Sequence, residues 1–496
     1  MSKASTPKFT LAFLLVTGIL SIPHLKAQNV SGHILTEEKA PISFATIQIG
    51  EHHGTISNEE GNFSISTNGF EAKDSVYISC LGFEKLGLVV EEFTSKDYIL
   101  KEQVNELSEV FLTNRKLSVD SILYYVNKNL SKNYKTELVD HEVFSRKTEF
   151  IQGKDVNFEI DKSTGFSRKQ LKAFNEDFNQ LETALVNNKS KQYTDFVGHL
   201  KIKDANASKL EVNKAVRLLD KNNSQSLEVL ADKGKDIISK HLDKDKVYTI
   251  KTGLLKISDS VSLSEGNEKM KDTVNSIGIL KSNVKQPIEH HGFKNHSILN
   301  FVLETKLYKY NLEDITFLGS EMVYVISFQP RRSSADYQGT LYISNETFAV
   351  LKADYRFYKG RVGEKFNLKL LLGIKFVQQG HTGSVLYQKS TDGYYYPKYI
   401  SEQTDSYFYI SRPFKFIEND NRRNKVAFEF MVEGIFKERL EVLFLSQKPI
   451  SSADFVETVE PKHVDYETPT KYDPSIWADY NVLEPLDEMK AFKVEN

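Results

Sequence analysis

Residues 54–66 read GTISNEEGNFSIS, and the N-terminal fold turns on how that stretch is taken. Two carboxylates, Glu59 and Glu60, and two asparagines, Asn58 and Asn62, crowd around Gly61, as they would in a loop that holds a divalent cation. A calcium loop of the EF-hand kind needs oxygen ligands at alternating positions and a bidentate Glu at the twelfth. Here the two carboxylates are adjacent, and the chain from Ser66 onward supplies no such Glu. Ile56 precedes the turn, while Phe63 and Ile65 follow it at the period of two that buries one face of a strand. Gly61 is free to take positive φ, and the Asn58 side chain is suited to closing the turn. The stretch is read as a β-hairpin and not as a metal loop.

The same pattern extends outward. NVSGHIL, ISFATIQIG, NFSIS, DSVYISCL and KLGLVVEEF alternate apolar and polar residues between Gly- and Asn/Asp-rich breaks, which predicts a small antiparallel sandwich over residues 28–113. The string SGHILTEEKAPISFATIQIGEHHGTISNEEGNFSIS, followed by DSVYISCLGFEK, resembles the carboxypeptidase-like regulatory domain. That family is a transthyretin-like β-sandwich found at the N-terminus of Gram-negative envelope proteins. The matching positions are Gly32, Pro41, Ala45, Gly54, Thr55, Gly61, Phe63, Gly82 and Phe83, and Leu107-Ser108-Glu109-Val110 fits the family's closing strand. The chain departs from the pattern at Asn58, where the family often carries Asp, and at His52-His53. The resemblance implies an exported envelope protein with a large domain of unknown function behind the sandwich. A TonB-dependent transporter's plug and barrel strands are absent from the pattern.

The length of 496 residues corresponds to two to four domains, at roughly 100–200 residues each. The chain holds 65 basic and 67 acidic residues, so no global field argues for nucleic acid or an anionic membrane as partner. Lys3 and Lys8, the apolar run from Phe9 to Ile22, and the small Ala27 read as a signal peptide over 1–27, with Gln28 as the mature start. A retained anchor is the alternative; after signal removal no transmembrane span is expected. Cys80 is the single cysteine, which excludes an intrachain disulfide and reads as a buried, inert thiol.

Beyond the sandwich, Val119, Ile122, Leu123, Val126 and Leu130 recur at helical spacing behind a Ser118 cap, predicting a linker helix over 114–135. Residues 136–446 read as an antiparallel β domain, with a first hairpin around Gly153-Lys154 and a helical insertion at about 166–245. The insertion shows two stripes: Leu171, Phe174, Phe178, Leu181 and Leu185, then Leu227, Leu230, Ile237, Ile238 and Leu242. From Lys246 onward the composition is mostly that of strands, with hairpin loops at Ser344–Thr347 and Ser390–Gly393. VISFQPRRSSADYQGTLYISNETFAVLKADYRF resembles the curved antiparallel sheet of lipoprotein-carrier half-barrels. Residues 447–496 read as an irregular tail that Trp477 anchors. The fold class is therefore mainly β with helical insertions.

Motifs for chemistry were tested in turn. His141-Glu142 opens an HExxH string, but Ser145 stands where the second His belongs. No histidine has Glu three residues later, so the ligand set of a zinc carboxypeptidase is missing. Glu289, His290, His291 and His296 are the densest group of metal-ligand types; they read as a polar loop between strands, with a zinc or copper site as the sharper alternative. His52-His53 is weighed the same way. There is no nucleophile elbow and no phosphate-binding glycine loop. Arg331-Arg332 and Arg422-Arg423 read as solvated turns. Tyr394-Tyr395-Tyr396 offers amphipathic rings for a groove, although neighbours on a strand face opposite ways. No catalytic, cofactor-binding or metal residue is assigned, and no cofactor is expected. The expected function is a non-enzymatic envelope protein with a docking sandwich and a sheet scaffold for a protein partner at the periplasm or outer membrane. The alternative is a carrier whose hollow sheet holds a lipid or other apolar ligand.

Overall fold

A computed structural model describes residues 29–494, except 51–52, 104–116, 165–166, 188–190, 220–232, 234–235, 239, 244, 253–254, 263–274 and 295–296. The expected signal peptide, the Leu107–Val110 strand, His52 and His296 lie outside the described residues.

The N-terminal part is a two-layer sandwich. One layer has the order β4 (Asn62–Ser66), β1 (Asn29–Leu35) and β7 (Tyr98–Ile99). The other runs β3 (His53–Ile56), β2 (Thr46–Ile49), β5 (Ser75–Ser79) and β6 (Leu86–Val89). Alternation works as expected: Val30, Ile34, Ile47, Ile49, Phe63, Ile65, Val76 and Ile78 are all buried in one core. Rings of Phe63, Phe93 and Tyr98 close it, with Phe63 and Phe93 stacked at 5.9 Å. Asn58 closes the 58–62 turn through Oδ1, which accepts from the backbone N–H of Glu60 and Asn62, both at 2.9 Å. Gly61 sits at φ +78°, and a Cβ there would lie 2.7 Å from the Ile34 carbonyl. One correction applies: β3 and β4 are not hairpin partners. β3 pairs with β2 and β4 with β1, so the turn is a corner between layers. Local alternation specifies which side chains are buried but not which strand lies alongside.

The remainder is built on one antiparallel sheet of 13 strands. Its main path is β10 (Ala207–Leu218), β9 (Lys191–Asp204), β8 (Val139–Ser163), β20 (Lys425–Pro449), β19 (Tyr395–Glu418), β18 (Ile374–Lys389), β16 (Val350–Phe357), β15 (Tyr337–Ser344), β14 (Glu321–Pro330) and β13 (Tyr308–Leu318). Beside it, β11 (Val247–Thr252) pairs with β19 and with β12 (Leu255–Ser262), and β17 (Lys365–Leu368) pairs with β18. The expected hairpin at Gly153-Lys154 is instead a bulge. β8 runs on unbroken against β20 from Val139↔Pro449 to Ser163↔Val426, because a partner strand of equal length satisfies its backbone throughout. The predicted loops at 344–347 and 390–393 do join neighbouring strands.

Helices differ more from expectation. α1 (Val119–Asn133) has the Ser118 cap, whose side chain accepts from Ser121 N–H. It is no free linker: Ile122, Leu123 and Val126 are fully buried against the sheet. The insertion is helical only in part. α2 (Arg168–Asn187) buries Phe174, Phe178 and Leu181 as the stripe predicts, but β9 and β10 follow as long strands, and much of the second stripe lies outside the described residues. α3 (Ile277–His290), capped by Ser276, stands where strands were expected; Pro287 within it hid the spacing of Ile277, Leu280 and Val284. With α4 (Asn300–Leu303), α1 and α3 cover one face of the sheet, where Phe196, Leu200, Ile326, Phe328, Leu341, Val385, Ile400 and Phe444 complete a continuous core.

The tail crosses back over both parts. Trp477 meets Phe144 edge-on at 5.8 Å and is buried with Leu483 and Ile56. Asn58 Nδ2 donates to the carbonyls of Glu484 and Pro485, both at 3.1 Å. The carboxylates of the opening stretch are spent in the same way: Arg439 Nη1 donates to Glu59 at 2.8 Å, and the Asp487 N–H to Glu60 at 3.0 Å. Cys80 is partly buried on the sandwich core, and burial raises its pKa, as for an unreactive thiol.

Candidate functional site

The histidines singled out in the sequence come together with partners that were not foreseen. His290 ends α3 and His291 caps it, so Glu289–His291 is a helix terminus and not a loop between strands. His291 is buried. Its Nδ1–H donates to the Pro287 carbonyl at 2.9 Å, and its Nε2 accepts from the Tyr355 hydroxyl at 3.0 Å. Glu402 of β19 lies 3.0 Å from His290 Nδ1, and the Tyr337 hydroxyl meets His381 Nδ1 at 2.9 Å. Burial works to raise the Glu402 carboxyl, but His290 and the neighbouring imidazoles outweigh it and hold it below the usual range. The bond to Glu402 raises His290, while burial lowers His291 and takes His381 down to about 4. The result is a His290–Glu402 contact beside the imidazoles of His291 and His381 and the phenols of Tyr337 and Tyr355. Both ring nitrogens of His291 are occupied by hydrogen bonds, which leaves no lone pair for a metal. Among the described residues no group of three or more His, Cys, Asp or Glu is arranged to hold one.

The other sequence candidates fall apart as sites. His141 lies on a strand, edge-on to Tyr396 and Phe444, and burial lowers it to about 4. The Glu142 carboxylate accepts from the Ser446 hydroxyl at 2.9 Å. Tyr395 and Tyr396 are core side chains, and the Tyr396 hydroxyl donates to Asp392. Arg331, Arg332, Arg422 and Arg423 are exposed in turns.

Between the sandwich and the sheet lies a cleft of about 460 Å³. The sandwich contributes His53 and Gly54 of β3, Tyr77 and Ser79 of β5, and Lys85; the sheet contributes Gln388 and Lys389 of β18 and Lys398 of β19. Lys398 is 7% exposed. Its Nζ donates to the Phe444 carbonyl at 3.1 Å and lies 3.5 Å from the Gly54 carbonyl. Burial takes its pKa down to about 8. His53 Nε2 is 2.6 Å from the Ser66 carbonyl. Among the described residues no carboxylate lines this cleft. Sequence reasoning missed Lys398, although a lysine inside YYYPKYI, where both flanks are strand aromatics, is the signal that marks it. Below the tail a second buried group, Arg146 and Asp195, pairs at 2.7 Å, and Arg146 also reaches the Leu483 carbonyl.

These features frame the comparisons with known proteins. Residues 30–112 match the CarboxypepD_reg-like domain family. The regulatory-like domain thus covers the sandwich, and its turn at Asn58–Asn62 is where the tail attaches. No curated protein matches the chain significantly. Among solved structures, a DUF1329 family protein from Desulfovibrio piger ATCC 29098 is 11% identical, covering 68% of this chain and 96% of its own, with a TM-score of 0.18. A Bacteroides fragilis NCTC 9343 protein of unknown function, described as membrane-associated, is 7% identical over 82% of this chain and 96% of its own, with a TM-score of 0.12. At such scores neither likeness carries an argument, and neither comparison assigns an activity. Among the described residues no helix is long and apolar enough to cross a membrane.

Proposed function

We propose that this is a non-enzymatic, exported envelope protein. The regulatory-like domain and the large sheet are locked by the tail into one scaffold for a protein partner at the periplasmic face of the outer membrane. The observation that carries this reading is the filled face of the sheet. A carrier needs a hollow apolar chamber, whereas α1, α3 and α4 lay Ile122, Leu123, Val126, Leu280, Val284 and Phe301 onto that face at full burial.

A second surface supports placement against a membrane. β17 and the one-turn α5 (Lys369–Leu372) present Phe366 and Leu368 half-exposed, with Leu370 at 105% and Leu371 at 79% exposure. Residues 365–377 carry Lys365, Lys369 and Lys375 and no acidic residue. Lys369 lies 3.9 Å from the Tyr409 ring and Lys375 5.1 Å from Tyr407. An exposed apolar apex flanked by lysines and tyrosines has the residue types of a segment that inserts at the interface of an anionic bilayer.

Fractionation with crosslinking tests the reading. Recovery with the envelope, joined to a defined envelope protein, is expected. Recovery in the cytoplasm, or recovery without a partner but with stoichiometric lipid in native mass spectra, overturns it.

A further inference from the structure

We propose that the cleft between the regulatory-like domain and the large sheet binds a small anionic ligand, through a carboxylate or phosphate group received by Lys398. An ammonium has three N–H donors. Two of them face the Phe444 and Gly54 carbonyls, and among the described residues the third has no acceptor and the charge no carboxylate partner. A buried cation without a counter-charge is costly, and a methionine would fill the same space at no such cost. An anion entering the cleft would supply that counter-charge.

The surroundings fit that occupant. Lys85 and Lys389 add positive charge, and the first rests 3.6 Å from the Tyr77 ring. The hydroxyls of Ser79, Ser390 and Thr391 line the same cleft, where Gln388 Nε2 donates to Gln48 Oε1 at 3.2 Å. Among the described residues, Glu142 behind the wall accepts from the Ser446 hydroxyl and acts on His53. A volume of about 460 Å³ lies within the range of small-molecule sites. Both walls take part, so a bound anion would tie the regulatory-like domain to the sheet. This inference rests on the cleft alone, and the envelope reading stands or falls separately.

The test uses the purified full chain, with inorganic phosphate, citrate and glucuronate as probes at constant ionic strength and chloride as control. At least one probe is expected to raise the melting temperature saturably, and to raise the Lys398 titration midpoint, read from ¹³C-methylated lysines by NMR, by more than a unit. Lys398→Met is expected to melt no lower than the parent and to lose the response to anions. The rim variant Lys85→Gln/Lys389→Gln, which leaves the buried wall intact, is expected to weaken binding several-fold. No saturable effect from any probe beyond chloride, or a response that survives Lys398→Met, overturns the proposal. So does a Lys398→Met protein that melts several degrees lower while the parent ignores all three anions, because Lys398 is then only a structural donor.

Discussion

Arg439 Nη1 donates to Glu59 Oε2 across 2.8 Å, joining residues 380 positions apart. Arg439 also holds Glu441 at 2.8 Å, so one guanidinium links the sandwich turn to the centre of the sheet. Glu59 is 48% exposed, and exposed pairs contribute about 0–1 kcal/mol. Asn58 beside it is buried and has more to lose. Asn58→Ala removes two turn bonds and two bonds to the tail, with an expected cost of about 1–3 kcal/mol in denaturant melts and faster proteolysis of the tail. Asn58→Asp is expected to destabilise as well, although the family often has Asp there, because a carboxylate would face the Glu484 and Pro485 carbonyls. A variant as stable as the parent would remove this account of the departure.

Arg146 and Asp195 form a buried pair with side chains 4% and 2% exposed. Asp195→Asn leaves the guanidinium without its charge partner and is expected to cost about 3–5 kcal/mol. Arg146→Met combined with Asp195→Leu is expected to be far milder than either single change. Chemical denaturation of Asp195→Asn, of Arg146→Met and Asp195→Leu singly, and of their double measures both, and additive losses in the double would contradict the pairing.

Acid stability turns on His141 and His381, each lowered to about 4 by burial. In the unfolded chain these rings take up protons near pH 6.5, while the native state binds them only near pH 4. Their stabilisation is therefore complete above about pH 6.5 and is lost as pH falls towards 4, by about 1.4 kcal/mol per unit for each ring. His290, raised by Glu402, acts in the opposite sense. His141→Phe is expected to flatten the slope of urea midpoints between pH 7 and 5; an unchanged slope would show that His141 is not buried neutral.

The apolar apex at Leu370 and Leu371 is expected to hold vesicles containing anionic lipid and to release them in high salt. Leu370→Asp/Leu371→Asp should abolish co-sedimentation without lowering the melting temperature, since both side chains are exposed. Binding that persists in the double variant would locate membrane contact elsewhere.

Much of the architecture was legible where a short-range rule applies. Phe63 and Ile65 announce a strand by alternation, and Ser118 with Ile122 and Val126 announces α1 by cap and spacing. Where a local signal conflicts with context, the reading failed: Pro287 masked α3, and Gly153-Lys154 mimicked a turn inside β8. The cleft was invisible for a different reason. Lys85 and Lys389 are unremarkable in their own segments, and the local marks of His53 and Lys398 do not say that they share a cleft; all four are brought together only where two domains meet.

GTISNEEGNFSIS marks that division. Its apolar period and its glycine, fixed by sterics and burial within a few residues, determined the sandwich and excluded an EF-hand-like calcium loop. Asn58 closing its own turn was legible too, but which distant groups Glu59, Glu60 and the Asn58 amide meet was decided by tertiary structure alone. Their partners, Arg439, Asp487 N–H and the Glu484 and Pro485 carbonyls, lie hundreds of residues away, and a polar side chain carries no local mark of which distant group will meet it.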